Sequence, residues 1–344
     1  MTLSETSKLK KLPGISEILS KTGIDSFVFA LGGMILLAWL LPSPGAYEGL
    51  VSLKSLANYG VSVVFFFYGL RLSPEKLQIG LSNWRLHMVV HISTFVLFPL
   101  LMLMFRFLFA EGDAGLLWLG AFYLSALPST VSSSVVMVSI ARGNMPAAIF
   151  NASLSSLIGV FITPLWMGLF IAVSSGGLNL WGVIGQLSLQ VLVPVVLGIF
   201  LHRRWGSFAE THRKKLRHFD QSIILLIVYT SFCASFARQM FKDFSILNIF
   251  LLGICMVGLF FLAFSIITLV CKLLRFNRED SITALFCGSK KSLVHGTVMS
   301  RVLFPGSNVA GIILLPLMMY HALQLVAASI IAKRMAKFSE KVKG

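Results

Sequence analysis

The sequence predicts an all-α membrane protein of ten transmembrane helices, arranged as two inverted five-helix repeats. Three observations carry this. Hydrophobic residues make up 56% of the 344 residues and charged residues only 12%, with a mean hydropathy of +0.86. A soluble fold has too little polar surface to cover so much apolar side chain. The apolar residues collect in ten stretches, each near the ~20 residues that cross a bilayer. The positive charges are distributed unevenly about those stretches. A soluble enzyme, a nucleic-acid-binding domain and a disordered chain are excluded on composition.

Taken in order, residues 1–24 form a cytoplasmic N-terminal segment, mixed polar and basic, without a signal-peptide pattern. Within it Leu9, Leu12, Ile15, Ile18 and Leu19 have the spacing of an interfacial helix, interrupted by Pro13. The predicted spans are 25–42, 53–70, 84–109, 116–141 and 146–173 in the first repeat (25–173). In the second repeat (180–332) they are 180–201, 219–237, 245–274, 281–303 and 308–332. Short connections carry turn residues: Pro42-Ser43-Pro44-Gly45, Arg142-Gly143-Asn144, Ser174-Ser175-Gly176-Gly177 and Phe304-Pro305-Gly306. The stretch 202–218 reads as the one long extramembrane loop, and 333–344 as a cytoplasmic tail.

Most of the 29 Lys and Arg residues fall on one side. That side receives the N-terminal lysines, Arg71, Lys76, Arg85, Arg142, the 202–218 loop, Lys272, Arg275, Arg278 and the C-terminal tail. The other side receives Lys54, Arg106, Arg238, Lys242 and Arg301, while Lys290 and Lys291 fit neither. The positive-inside rule then puts both termini in the cytoplasm, as expected for a bacterial inner (plasma) membrane protein. The net charge of +16 thereby becomes a topology signal and calls for no nucleic acid. Five spans per half mean that the second half starts on the opposite face, the inverted-repeat plan of many secondary transporters. Arg142-to-Pro146 and Arg301-to-Pro305, both Arg-x-x-x-Pro, echo one another across the halves.

Two spans carry the chemistry. The fourth contains Pro128-Ser129-Thr130-Val131-Ser132-Ser133-Ser134. Proline removes a backbone donor and breaks the ladder, and the hydroxyls can satisfy the freed groups or bind a solute. Pro128 lies roughly 18 Å from the outer end at 1.5 Å per residue, near mid-depth. The ninth contains Gly288-Ser289-Lys290-Lys291-Ser292 and then His295. Lys290 sits roughly 14 Å past the entrance, too deep to snorkel, where an ionisable group costs at least about 2.5 kcal/mol and marks a pathway or site. The structural alternative is a lysine satisfied by carbonyls of the opposite broken helix. Asn151, Ser153, Ser155 and Ser156 follow on the fifth span; Asn151 and Ser155 share a face. Small polar residues there also serve as helix-packing contacts.

His91, Gln190, His295, His321 and Gln324 are single polar residues on spans and read as structural hydrogen bonders. The 13 Asp and Glu fall in loops, termini or helix starts, with Asp25, Asp220 and Asp280 at span entrances. A relay of buried carboxylates is therefore not expected. Cys233, Cys255, Cys271 and Cys287 lie in apolar runs without a CxxC pair and read as buried free thiols.

The strings Phe67-Tyr68-Gly69-Leu70-Arg71-Leu72-Ser73-Pro74-Glu75-Lys76-Leu77, Ile140-Ala141-Arg142-Gly143-Asn144 and Ala284-Leu285-Phe286-Cys287-Gly288-Ser289-Lys290-Lys291-Ser292 resemble the bile acid:sodium symporter superfamily. More narrowly they resemble its bile-acid-symporter-like branch, which includes bacterial YfeH-type proteins, fungal calcium-homeostasis regulators and a divergent vertebrate solute carrier. The resemblance covers about 25–335. It implies a core domain with crossed, broken fourth and ninth helices and a panel domain of spans one, two, six and seven. It also implies a weak sodium site near Ser133, Ser134, Asn151 and Ser155. Two family sodium ligands are replaced: an acid maps to Phe286 and a glutamine to Lys290. Lys290 is thus expected to act as a built-in cation or a proton-linked switch, or to hold the crossed helices together without a transport role.

The leading functional expectation is a secondary active transporter of a small, anionic organic solute, coupled to Na+ or H+, with no other cofactor. The alternative is a regulator of calcium homeostasis or ion flux. The sequence contains no EF-hand loop for direct calcium binding. No enzymatic activity is expected, since the spans lack H-E-x-x-H, G-x-S-x-G and paired acids.

Overall fold

The computed structural model describes residues 26–47, 49, 52–71, 83–108, 113–174, 185, 188–239, 242, 246–304 and 309–343. The N-terminal segment, including the Leu9–Leu19 spacing, lies outside them, as do Lys76 and the glycine turn at 176–177.

Among the described residues the regular structure is helical throughout. Helices α1 (Ser26–Leu40), α2 (Pro42–Ala46) and α3 (Leu53–Leu70) come first. They are followed by α4 (Trp84–Met104), α5 (Asp113–Ala126), α6 (Ser132–Ala141) and α7 (Met145–Ser174). Then come α8 (Val193–Thr211, entered through a π turn at Ser188–Leu192), α9 (Arg213–Ala237) and α10 (Ile246–Leu273). The chain ends with α11 (Arg278–Ser289), α12 (Leu293–Leu303) and α13 (Ala310–Lys343).

Seven of these are long and apolar enough to cross a membrane; α1 and α5 are shorter apolar helices. Large apolar side chains of α10, including Leu247, Phe250, Leu251 and Ile254, are exposed along its length. In water they would favour aggregation; in a bilayer they meet lipid. The protein is a multi-pass membrane protein.

Helix starts follow from short polar side chains that accept an otherwise orphaned N–H. Ser52 accepts from Ser55 N at 3.1 Å, Asn83 from Leu86 N at 3.3 Å and Asn277 from Asp280 N at 2.7 Å. Asn144 accepts from Ala147 N at 3.1 Å, starting α7. The turn before α7 needs a left-handed residue, which Arg142 supplies at φ 62°.

The helices pack as two groups. In one, α3 lies against α8, and α9 packs on α1, α2 and α3. The α3–α8 contact is backbone to backbone: a Cβ at Gly69 would strike the Val195 carbonyl, and one at Gly198 the Phe66 carbonyl. In the other group α4, α5, α6, α7, α10, α11 and α13 pack around the two interruptions at 127–131 and 290–292. Helix α12 touches both α9 and α13.

The expected 202–218 loop is helical instead. Helix α8 continues to Thr211 and α9 begins at Arg213. The segment is amphipathic: Ala209 and Leu216 cluster with Leu70, and His202 Nδ1 lies 2.7 Å from the Leu70 carbonyl, while the basic residues face outward. Asp220 therefore sits inside α9 rather than at its entrance, where it receives Arg71 Nη2 at 2.6 Å.

Candidate functional site

Proline at 128 stops α5, and the carbonyls freed there account for the surrounding side chains. Ala126 O accepts from Thr163 Oγ1 at 2.7 Å. Ser125 O and Leu127 O accept from Lys291 Nζ at 2.6 and 3.0 Å. Pro128 O accepts from Ser292 N at 2.9 Å, so the two helix breaks are directly hydrogen-bonded to one another. On the donor side, Ser129 N donates to Ser155 Oγ at 2.9 Å. Ser134 N donates to Thr130 Oγ1 at 3.2 Å, starting α6. Thr130 Oγ1 is 2.8 Å from both Ser133 Oγ and Ser134 Oγ, and Ser129 Oγ is 3.4 Å from Ser134 Oγ. Ser132 opens α6; its side chain lies outside the described atoms. Gly159 lets α7 approach this break, since a Cβ there would lie 2.7 Å from the Pro128 ring.

At the second break the backbone of Lys290 and Ser292 is extended (φ −94°, ψ 146° and φ −84°, ψ 111°). Gln324 clamps the residue between them: Lys291 N donates to its Oε1 at 2.8 Å, and its Nε2 donates to Lys291 O at 2.8 Å. Tyr320 OH donates to Ser289 O at 2.8 Å, and Ser289 Oγ to Leu285 O at 2.6 Å. Ser292 Oγ accepts from His295 N and lies 2.9 Å from His295 Nδ1. Tyr123 OH of α5 donates to Gly296 O at 2.5 Å.

The paired lysines have opposite surroundings. Lys291 Nζ reaches a third carbonyl, Thr94 O, at 2.6 Å and stands 4.3 Å above the Phe98 ring. Thr94 lies in a π turn of α4 at Ser93–Leu97, which disturbs the helical ladder where its carbonyl is needed. Three carbonyls and an aromatic face thus surround this ammonium. Lys290 is also fully buried, yet its Nζ has no hydrogen-bond partner among the described residues. The carbonyl-bound alternative weighed for Lys290 is realised one residue on, at Lys291. His295 Nε2 and Arg301 Nε are buried without partners as well. The His295 ring is met edge-on by Tyr68 and Phe65 of α3, at 5.2 and 5.9 Å.

The fifth-span residues divide. Ser155 joins the hydroxyl cluster through Ser129, and Ser153 O accepts from Tyr68 OH at 3.2 Å. Ser156 Oγ donates to its own helix at Ala152 O. Asn151 turns to α4, its Oδ1 3.1 Å from His87 Nδ1, and its Nδ2 donates to Ala147 O. Of the four residues expected at a sodium ion, Ser134 and Ser155 are linked through Ser129, and Ser133 joins them through Thr130. Asn151 is engaged elsewhere. Lys291 occupies the Ser125 and Leu127 carbonyls of the first break, and Phe286 is fully buried with its ring 6.2 Å from that of Phe264. The hydroxyls of Ser133, Ser134 and Ser155 are neutral oxygen donors of the kind sodium accepts, but Asn151 does not join them.

A second polar centre was not anticipated as such. Asp280, read as a helix-start charge, accepts from Asn144 Nδ2 at 2.8 Å, Asn83 Nδ2 at 2.7 Å and Asn277 Nδ2 at 3.0 Å. It ties α4, α7 and α11 together below the breaks. The Arg142-Gly143-Asn144 string was its visible trace.

The sequence profile of the SBF-like CPA transporter family matches residues 25–337. An uncharacterized protein of Pseudomonas aeruginosa is 40% identical over 313 residues, covering 91% of this chain and 93% of its own. YfeH of Escherichia coli is 38% identical over 322 residues, covering 93% and 95%. Sodium/bile acid cotransporter 7 of Xenopus tropicalis is 30% identical over 326 residues, covering 92% of each chain. These are transporters by family, and the family is not an enzymatic one. Two helix breaks, at 127–131 and 290–292, apolar spans around them and similarity over nearly the whole chain converge: the chain belongs to the SBF-like CPA transporter family of the bile acid:sodium symporter superfamily.

Proposed function

We propose that the protein is a secondary active transporter of a small organic anion, working by alternating access. The observation that carries this reading is Lys290, an ammonium buried at a helix break with no partner among the described residues. A buried charge is stable only when paired, so the site favours a ligand that brings the opposite charge. His295 Nε2 and Arg301 Nε on the adjoining α12 also lack a partner among the described residues, although Arg301 Nη2 bonds to α9.

In this reading α5–α6 and α11–α12 are each one interrupted crossing, giving ten crossings in two inverted repeats, with the interrupted helices crossing at mid-depth. The group α1, α2, α3, α8 and α9 is the panel, and the remainder is the core. Both termini lie in the cytoplasm and the membrane is the bacterial inner membrane, as the basic residues favour. Lys291 acts as the built-in cation of the centre, holding the freed carbonyls of both breaks. Lys290 is left for the solute. Its charged form and a bound anion stabilise one another, so proton and anion uptake are linked. Sodium has no place at the second break in this scheme.

The test is uptake by the purified protein in liposomes, scanned over small organic anions under an imposed proton or sodium gradient. Uptake should follow the proton gradient, ignore sodium, and vanish in Lys290→Met. Unchanged uptake and ion dependence in that variant would overturn the assignment. Altered calcium handling in cells with no uptake in liposomes would favour the ion-flux regulator instead.

A further inference from the structure

A groove separate from the helix breaks lies at the basic end of the molecule, between the start of α11 and the late part of α13. It is an open groove of about 340 Å³, lined by Arg278, Ser281, Ile282 and Leu285 of α11 and by Arg334 and Met335 of α13. The α11 residues recur at helical spacing and share one face. Arg278 bridges the helices, donating from Nη2 to Met335 O at 2.8 Å.

The groove is graded along its length. Its mouth carries two guanidinium groups and no carboxylate among its lining residues. One to two turns deeper, about 10 Å along α11, its lining is apolar: half-buried Met335 and the edges of Ile282 and Leu285, whose side chains are otherwise packed in the core. One turn from Arg334 on the same helix Ile330 is exposed on the outer surface, and Leu269 and Leu273 of the neighbouring α10 are exposed too. A soluble anion would use the arginines and leave the exposed apolar surface of Ile330, Leu269 and Leu273 unmatched. A neutral lipid would use that surface and leave two cations unmatched. An amphiphile with a phosphate head matches both ends.

We propose that this groove binds an anionic phospholipid, its phosphate between Arg278 and Arg334 and the start of an acyl chain against Ile282, Leu285 and Met335. The lipid would bridge α11 to α13 beneath the second break, which places membrane composition in contact with the helix that carries Lys290.

The test is native mass spectrometry of the delipidated, detergent-purified full chain with phosphatidylglycerol or phosphatidylcholine at equal concentration. The phosphatidylglycerol adduct should be favoured about tenfold. That preference should disappear in Arg278→Gln/Arg334→Gln and survive in Arg203→Gln/Arg204→Gln, a basic pair on α8. Arg334→Gln alone, which leaves the Arg278–Met335 bond intact, should lose part of it and guards against misfolding of the double variant. Equal retention of the two lipids, or full preference in Arg334→Gln, would overturn the proposal. So would displacement of phosphatidylglycerol by millimolar inorganic phosphate, which would mark a soluble-phosphate site.

Discussion

Lys290 and Lys291 are chemically identical neighbours, and backbone geometry separates them. In an extended stretch successive side chains point to opposite sides, so one lysine reaches the carbonyls of the first break and the other does not. Their substitutions should therefore have opposite signatures. Lys291→Met leaves Thr94 O, Ser125 O and Leu127 O without their donor. Each unsatisfied buried acceptor costs about 1–3 kcal/mol, so the variant should unfold at a clearly lower temperature in detergent and give poor yield. Lys290→Met removes a buried donor that bonds to nothing among the described residues. Replacing an unpaired buried charge by an apolar chain is neutral or stabilising, so its melting temperature should hold or rise while uptake is lost. Equal destabilisation of both variants, read by thermal unfolding of the purified proteins, would show that the two lysines share one structural role.

At the level of elements, the spans were legible because a bilayer demands long apolar runs. The predicted 53–70 coincides with α3, and 146–173 lies within one residue of α7 at each end. The interruptions were legible too, since Pro128 and the Gly288-to-Ser292 string are incompatible with an undisturbed apolar helix. Partnerships were not. Gln324, Tyr320, Tyr123 and Thr94 reach the breaks from elements far away in sequence, and only the packed register decides that Asn151 faces His87 and not the hydroxyl cluster. The 202–218 stretch misled because basic residues resemble a loop when the apolar stripe beneath them is thin. Asp280 gives the element-scale prediction. It gathers three asparagine amides from α4, the α7 start and the α11 start, and is 7% exposed. Asp280→Ala leaves those donors unpaired, at a cost of at least about 3 kcal/mol. Asp280→Asn, which keeps an acceptor oxygen, should cost less. Thermal unfolding of the two variants against wild type checks the order; an unshifted Asp280→Ala would show that the helices are held by other contacts.

Across the whole molecule the two helix groups meet where α9 packs on α12 and α13, and polar contacts mark that boundary, among them Gly311 N of α13 donating to Ser235 Oγ of α9 at 3.2 Å. Tyr68 of α3 donates to Ser153 O of α7, and its ring meets His295 of α12. Arg301 of α12 donates to Ile227 O at 3.1 Å and to Thr230 Oγ1, both on α9. Within the first group the ties are different in kind: the Arg71–Asp220 ion pair and the glycine-mediated α3–α8 contact allow little relative motion. A rocking cycle would exchange the hydrogen bonds of this boundary, near 1 kcal/mol each, and would also slide α9 along α13, where a Cβ at Gly311 would lie 3.3 Å from Phe232 Cα. In the proposed cycle the α9–α12 part of the seam opens and closes. With Cys233, Cys255, Cys271 and Cys287 replaced by alanine, Thr230→Cys and Arg301→Cys place one thiol on each group. A cleavable bis-thiol reagent spanning the pair should abolish liposome uptake, and reduction should restore it. Either single-cysteine variant treated with the same reagent should keep whatever uptake it shows untreated. Undiminished uptake after complete cross-linking would mean that α9 and α12 stay together throughout the cycle and that the moving boundary lies elsewhere.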